Sequence, residues 1–287
     1  MKLGVSTYSL SRLIKSGEMS VLDVIQWIAD NGGEHAEIVP IGFDLEGDGE
    51  LAKAIRRKAA DLGIELSNYA IGANFITSDP DALEQEITRV MRHVDIAAAL
   101  GVKLMRHDVA SRPMPETTIR HFAAELDRLA EACRRVADYA AQYGITTSVE
   151  NHGFYVQASE RVQTLLHAVD RPNFKTTLDV GNFWCADETP TVGVGRNIGY
   201  ASMVHLKDFY RRPHDRNPGE GWFRSACGDY LRGAIVGQGD IDMREIIRLV
   251  KSSGYDGYVS IEFEGLEDCR FGTKAGLDNA RRIWDEV

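Results

Sequence analysis

Tyr143-Gly144-Ile145-Thr146-Thr147-Ser148-Val149-Glu150-Asn151-His152 holds, in ten residues, the unit from which the rest of the chain is read. Gly144 stands where a helix would close in a left-handed turn. The β-branched run behind it predicts a strand over residues 146–151, and a carboxylate, Glu150, falls at that strand's C-terminal end. The same punctuation recurs at Leu62-Gly63-Ile64, Leu100-Gly101-Val102 and Ser253-Gly254-Tyr255. Further strand-like runs cover 2–10, 35–40, 65–71, 103–109, 174–180, 202–208 and 258–263. Helical periodicity fills intervals such as 21–30, 50–62, 81–100, 116–143 and 244–252, with Asp79, Asp81, Asp240 and Asp242 placed as N-caps.

Eight strands alternating with helices over 287 residues predict a single (β/α)8 barrel domain spanning residues 1–287, active at the C-terminal ends of its strands. The competing arrangement is a doubly wound open sheet. A dinucleotide-binding sheet would need a glycine-rich turn after the first strand, and Ser6-Thr7-Tyr8-Ser9-Leu10 has no glycine. The run Gly193-Val194-Gly195-Arg196-Asn197-Ile198-Gly199 resembles a phosphate loop superficially but lacks the required spacing. Residues 211–239, rich in Gly, Pro, Arg and Asp, read as a long loop leaving the active end, a lid or an oligomer contact.

A formal net charge of −10 argues against a nucleic-acid partner, which calls for a concentrated basic face. Cys133, Cys185, Cys227 and Cys269 are scattered with no C-x-x-C pair, as expected of free thiols in a reducing cytoplasm. No apolar run approaches the roughly 20 residues of a membrane span, and Met1-Lys2-Leu3-Gly4-Val5 enters a strand without a leader-like segment. The expectation is a cytoplasmic protein with a small-molecule partner, no membrane contact and room for homo-oligomers.

Glu150 has three counterparts at strand ends: Asp179 in Leu178-Asp179-Val180-Gly181-Asn182, His205 in Val204-His205-Leu206-Lys207-Asp208, and Glu262 in Ser260-Ile261-Glu262-Phe263-Glu264. Strand residues two apart share a face, so adjacent strands would bring the four heads together at one depth. Burying three carboxylates there without a cation is costly. An oxygen-rich set with one imidazole suits one divalent ion, Mn2+ first, with Mg2+, Co2+ or Zn2+ as alternatives. As single residues, each is equally an ordinary polar strand end. His152 shares the face of Glu150 and reads as a catalytic acid or base, or as a solvated rim histidine. Lys207, Arg211 and His107 are candidate substrate-binding groups, the first two alternatively paired with Asp208 or Glu264. Glu37 reads equally as a site residue or as barrel packing. Tyr8, Phe75, Phe183, Trp184 and Trp222 are candidate walls for a sugar ring.

The motifs S-V-E-N-H, L-D-V-G-N, H-L-K-D-F, G-Q-G-D-I-D and Y-V-S-I-E-F-E resemble the xylose-isomerase-like barrels, over essentially the whole chain. That superfamily includes tagatose 3-epimerase-type enzymes, inosose dehydratases, hydroxypyruvate isomerases and, more remotely, endonuclease IV. The resemblance implies one divalent metal on Glu150, Asp179, His205 and Glu262. It also implies a metal-dependent isomerase or epimerase of a free or phosphorylated keto-sugar. In that chemistry the ion polarises the carbonyl and stabilises the enediolate left when the proton goes, with Glu150 and Glu262 as base and acid. The alternative from the same first step is a dehydratase or lyase of the inosose or 3-keto-glycoside type. An endonuclease IV-like phosphodiesterase and a non-catalytic sugar-binding barrel stand behind these two. The chain departs from the tagatose-type pattern at Asn182 (histidine there), Val156 (glutamate there) and Lys207 (acidic there), and keeps its arginine as Arg211.

Overall fold

The computed structural model describes residues 1–77 and 79–287. The elements run β1 (Lys2–Ser6), α1 (Ser11–Lys15), α2 (Val21–Asp30), β2 (His35–Ile38), α3 (Gly49–Leu62), β3 (Glu65–Ile71), α4 (Pro80–Leu100), β4 (Leu104–His107), α5 (Ile119–Ala141) and β5 (Thr146–Glu150). There follow α6 (Ser159–Val169), β6 (Phe174–Asp179), α7 (Pro190–Asn197), β7 (Ala201–Leu206), β8 (Asp208–Arg212), β9 (Phe223–Arg224), β10 (Tyr230–Ala234), α8 (Met243–Ser252), β11 (Tyr258–Ile261) and α9 (Cys269–Glu286). Eight of the strands close into a barrel in the order β1-β11-β7-β6-β5-β4-β3-β2, every neighbouring pair parallel. Parallel neighbours need a crossover, and the helices supply it.

Local chemistry sets the element ends. Gly63 (φ +69°) and Gly101 (φ +81°) close α3 and α4 in the left-handed region that glycine enters without strain. Asp79 accepts from the backbone of Asp81, and Asp242 from that of Glu245, as N-caps of α4 and α8. Along the strands, buried Val149, Leu178 and Val204 alternate with Ser148, Thr177 and His205. The first set packs outward against helices. The second faces the barrel interior, where Ser148 Oγ and Thr177 Oγ1 lie 2.8 Å apart.

Two expectations from sequence are corrected, on the first strand and on residues 211–239. The strand expected over 2–10 stops at Ser6, because the Ser6 hydroxyl accepts from Tyr8 N and starts a 3-10 turn over Thr7–Leu10. That turn carries Ser9 to the β1–β11 seam, where its hydroxyl donates to Ile261 O (3.1 Å) and accepts from Phe263 N (2.9 Å). The glycine run 193–199, set aside as a phosphate loop for its spacing, forms the end of α7 and the turn after it. A Cβ on Gly193 would fall 2.5 Å from the Phe183 ring, so the glycine serves helix packing. Residues 211–239 hold an antiparallel sheet in the order β8-β10-β9. Asp208 ties its base, accepting from Gly237 N (2.9 Å) and Gly239 N (3.0 Å).

Candidate functional site

Strand register brings the four donors onto the inward face of adjacent strands. Asp179 pairs with His205, His205 with Ser260, and Glu150 with Thr177, so Glu262 lies two residues beyond the partner of His205 and Glu150 two residues before the level of Asp179. Ligand-type atoms of Glu150, Asp179, His205 and Glu262 lie within 4.8 Å of one another, and all four residues are buried. His205 Nδ1 is 3.8 Å from Glu150 Oε1 and 3.7 Å from Glu262 Oε2, yet among the described residues no acceptor meets it in hydrogen-bonding geometry. Its other nitrogen, Nε2, is held by Glu37 (3.0 Å to Oε1, 2.9 Å to Oε2), and Asn68 Nδ2 donates to the same Glu37 carboxylate at 2.8 Å. A carboxylate behind an imidazole, with the far nitrogen aimed at a ring of oxygens, is the arrangement that orients a metal-binding histidine.

Lys207 reaches into the same cluster. Its Nζ is 3.1 Å from Asp179 Oδ2, 2.7 Å from Glu262 Oε2 and 3.7 Å from Glu264 Oε2. Arg106 Nη2 pairs with Glu150 Oε2 at 2.7 Å and with Asp108 Oδ1 at 3.1 Å. Burial opposes ionisation of Glu150, but Arg106 and then His205 outweigh it and bring that carboxyl down to about 2. Lys207 and His205 likewise overcome burial and hold Glu262 well below the usual carboxylate range. At Asp179 burial prevails over Lys207 and pushes the carboxyl up to about 7. His205 lies well above its ordinary value; burial opposes this, and the Glu37 and Glu262 carboxylates override it. Glu150, Asp179, Glu262 and Glu264 thus face two fixed cations, Lys207 and Arg106. The carboxylates of Glu150, Asp179, Glu262, Glu264 and Asp108 outnumber these two cations, and that excess, with the His205 Nδ1 that faces the donors, fits one divalent cation.

Glu150, His205 and Glu262 open into a cavity of about 470 Å3, lined also by Tyr8, His152, Lys207 and Glu264, with Asp179 buried behind them. His152, half exposed to it, places Nδ1 3.5 Å from Asp108 Oδ1. Burial lowers the tendency of His152 to protonate, but Asp108 and Glu150 reverse this and raise it above the ordinary histidine value. Asn182, where the tagatose-type pattern has histidine, donates to Glu150 Oε1 at 3.1 Å and accepts from Lys207 Nζ at 3.3 Å.

Two residues expected at the site from sequence lie elsewhere. Arg211 pairs with Asp229 (2.7 Å) and Asp187 (3.4 Å) and stacks over Trp184, inside the β8-β10-β9 hairpin and off the cavity wall. His107 points outward between Phe75 and Phe174, its Nδ1 bonded to Asp108 O at 2.8 Å. Arg106 takes the inward position instead, in register with Ser148. Arg106 and Asp108 are the residues the sequence did not single out; only the pairing of β4 with β5 reveals their phase.

The closed barrel, with four donors at its C-terminal rim that fit a metal ion, defines a (β/α)8 protein. A family model described as Xylose isomerase-like TIM barrel matches residues 25–284, and the chain belongs to that family. Among curated proteins, the inosose dehydratase of Lacticaseibacillus casei is 24% identical over 201 residues, covering 66% of this chain and 66% of that protein. The match thus spans just under two thirds of that relative's length. A probable 3-DHS dehydratase of Bacillus anthracis superposes with a TM-score of 0.76 at 18% identity, over 97% of this chain and 98% of that one. D-psicose 3-epimerase of Clostridium cellulolyticum H10, solved with D-tagatose, gives 0.75 at 19% identity over 99% of each chain. At these identities the solved structures speak for the fold. Among the described residues no helix is long and apolar enough to cross a membrane.

Proposed function

We propose that this chain is a divalent-metal-dependent enzyme of keto-sugars or keto-polyols that removes a proton beside a ketone and expels a β-oxygen substituent. One observation carries the choice: the His152–Asp108 pair, which lines the cavity yet belongs to none of the four donors. A divalent cation on Glu150, Asp179, His205 and Glu262 would supply Lewis acidity to the ketone. Asp108, kept ionised by Arg106 against its burial, orients His152 and supports it as a base. His152 takes the proton, the C–H electrons form the new double bond, and the β-carbon–oxygen bond breaks. The imidazolium then returns that proton to the departing oxygen, which leaves as water or alcohol and resets the histidine. Lys207 and Arg106 hold Glu262 and Glu150 ionised throughout. The inosose dehydratase relatives support elimination.

The second reading, isomerase or epimerase, rests on Glu150 and Glu262 both lining the cavity, where one would remove and the other return the proton. Incubation of the Mn2+-loaded protein with an inosose in deuterium oxide separates the two. Elimination predicts growth of conjugated enone absorbance that His152→Gln suppresses. Isomerisation or epimerisation predicts deuterium in recovered sugar without enone. Neither signal, across a panel of keto-sugars and keto-polyols, sinks both.

A further inference from the structure

The cavity is not centred on the four donors. It runs from them toward the β2 and β3 side, where residues 39–46, the end of β3 and the inner face of α4 form its walls; no residue of β8, β9 or β10 lines it. A single hexose ring, about twelve heavy atoms, needs on the order of 200 Å3 at interior packing density. The cavity holds about 470 Å3, so a ring seated at the donors leaves more than half of it free.

The far arm has a definite chemistry. Ile41 and Phe43, each partly buried, give it an apolar face. Asp44 and Glu46 give it acceptors, and Glu46 is fixed by His93 Nε2 at 2.9 Å, itself backed by Tyr69 OH at 2.8 Å from Nδ1. Among the described residues, every lysine and arginine on the cavity wall is already engaged. Arg106 and Lys207 hold the carboxylates described above. Arg89 gives Nε and Nη2 to Glu86 (2.8 and 2.9 Å) and Nη2 also to Gly72 O (2.7 Å). A phosphate or carboxylate in the arm would meet Asp44 and Glu46 with no free lysine or arginine among the described residues to receive it. A neutral ring would lay its C–H face on Phe43 and donate hydroxyls to the carboxylates.

We infer that this arm is a subsite for a second, uncharged sugar unit joined to the ring held at the four donors. Resting on the keto-sugar reading above, the substrate class is then a neutral keto-glycoside, not a sugar phosphate or a sugar acid. Calorimetric titration of the Mn2+-loaded full chain tests this without turnover, using glucose, glucose 6-phosphate, cellobiose, maltose and trehalose. At least one disaccharide is expected to bind about tenfold tighter than glucose, and glucose 6-phosphate more weakly than glucose. Phe43→Ala and, separately, Asp44→Asn with Glu46→Gln should bring the disaccharide to glucose's affinity while leaving glucose unchanged. The double variant should also raise affinity for glucose 6-phosphate. Disaccharides no tighter than glucose, including no binding by any probe, overturn the subsite, as does preference for glucose 6-phosphate. A disaccharide preference without enone or deuterium exchange would keep the subsite and sink the reaction. Turnover without that preference would do the reverse.

Discussion

Glu37 and Asp108 do parallel work on different imidazoles. Glu37 holds His205 by Nε2 and leaves Nδ1 facing the donors, whereas Asp108 steadies His152 beside the cavity. Their loss should therefore separate binding from chemistry. Glu37→Gln is expected to weaken Mn2+ binding roughly 10–100-fold, read by metal titration. His152→Gln should lower kcat on a keto-polyol about 10²–10⁴-fold with metal content unchanged; equal loss of metal in both variants would refute the division. Two other histidines govern acid stability. His35 and His107 are fully buried, and burial pushes both down to about 4. In the unfolded chain an unperturbed histidine titrates near 6.5. Between those values the unfolded state binds the extra proton, so each histidine withdraws stability as pH falls from about 6.5 to about 4, and nothing further below. The full shift is on the order of 3 kcal/mol per residue. Urea unfolding from pH 4 to 7 should give a shallower stability slope for His35→Gln than for the wild type; identical slopes would show that His35 protonates in place.

At the scale of elements, the hairpin β8-β10-β9 is built around Arg211, whose carboxylate partners Asp229 and Asp187 lie 18 and 24 residues away in the chain. Arg211→Ala should lower stability by about 1 kcal/mol, the scale of a partly exposed ion pair with its aromatic stack. In a domain of this size that is roughly 2–4 °C in Tm. The kinetic expectation is kcat/KM within about threefold of wild type. A hundredfold kinetic loss at unchanged Tm would return Arg211 to substrate binding. The contrast with the four donors explains what the sequence could disclose. Val149, Leu178, Val204 and Ile261 are apolar and must face the helices, which fixes the phase of the polar residues beside them. In Leu104-Met105-Arg106-His107 polar groups occupy both phases, so His107 is as plausible from sequence as Arg106. A slip of one residue reverses the face, and only the pairing of Arg106 with Ser148 decides it. The position of Arg211 is illegible for a different reason: its spacing from His205 carries no information about a hairpin that closes onto Asp229.

For the whole molecule the governing quantity is negative charge. The chain carries a net −10 and concentrates part of it in the barrel mouth, where Asp179 is fully buried and burial pushes its carboxyl up to about 7. A cation that binds the folded chain alone stabilises it by mass action, about 2.7 kcal/mol at 100 times its Kd. For a domain of this size that is roughly 5–10 °C in Tm. Adding Mn2+ to chelator-treated protein should therefore raise Tm progressively with concentration, and EDTA should reverse the rise. Asp179→Asn separates the ion from the fold, because the amide is nearly isosteric but cannot carry the charge. Without metal the variant should be as stable as the wild type or more so, since it relieves a buried carboxylate whose ionisation burial opposes. With metal its Tm should stay flat, because the donor set has lost one of its three carboxylates. A wild-type Tm indifferent to Mn2+, Mg2+, Co2+ and Zn2+ would mean that Lys207 and Arg106 alone balance the cluster, and the centre would be an ion-pair network instead of a metal site.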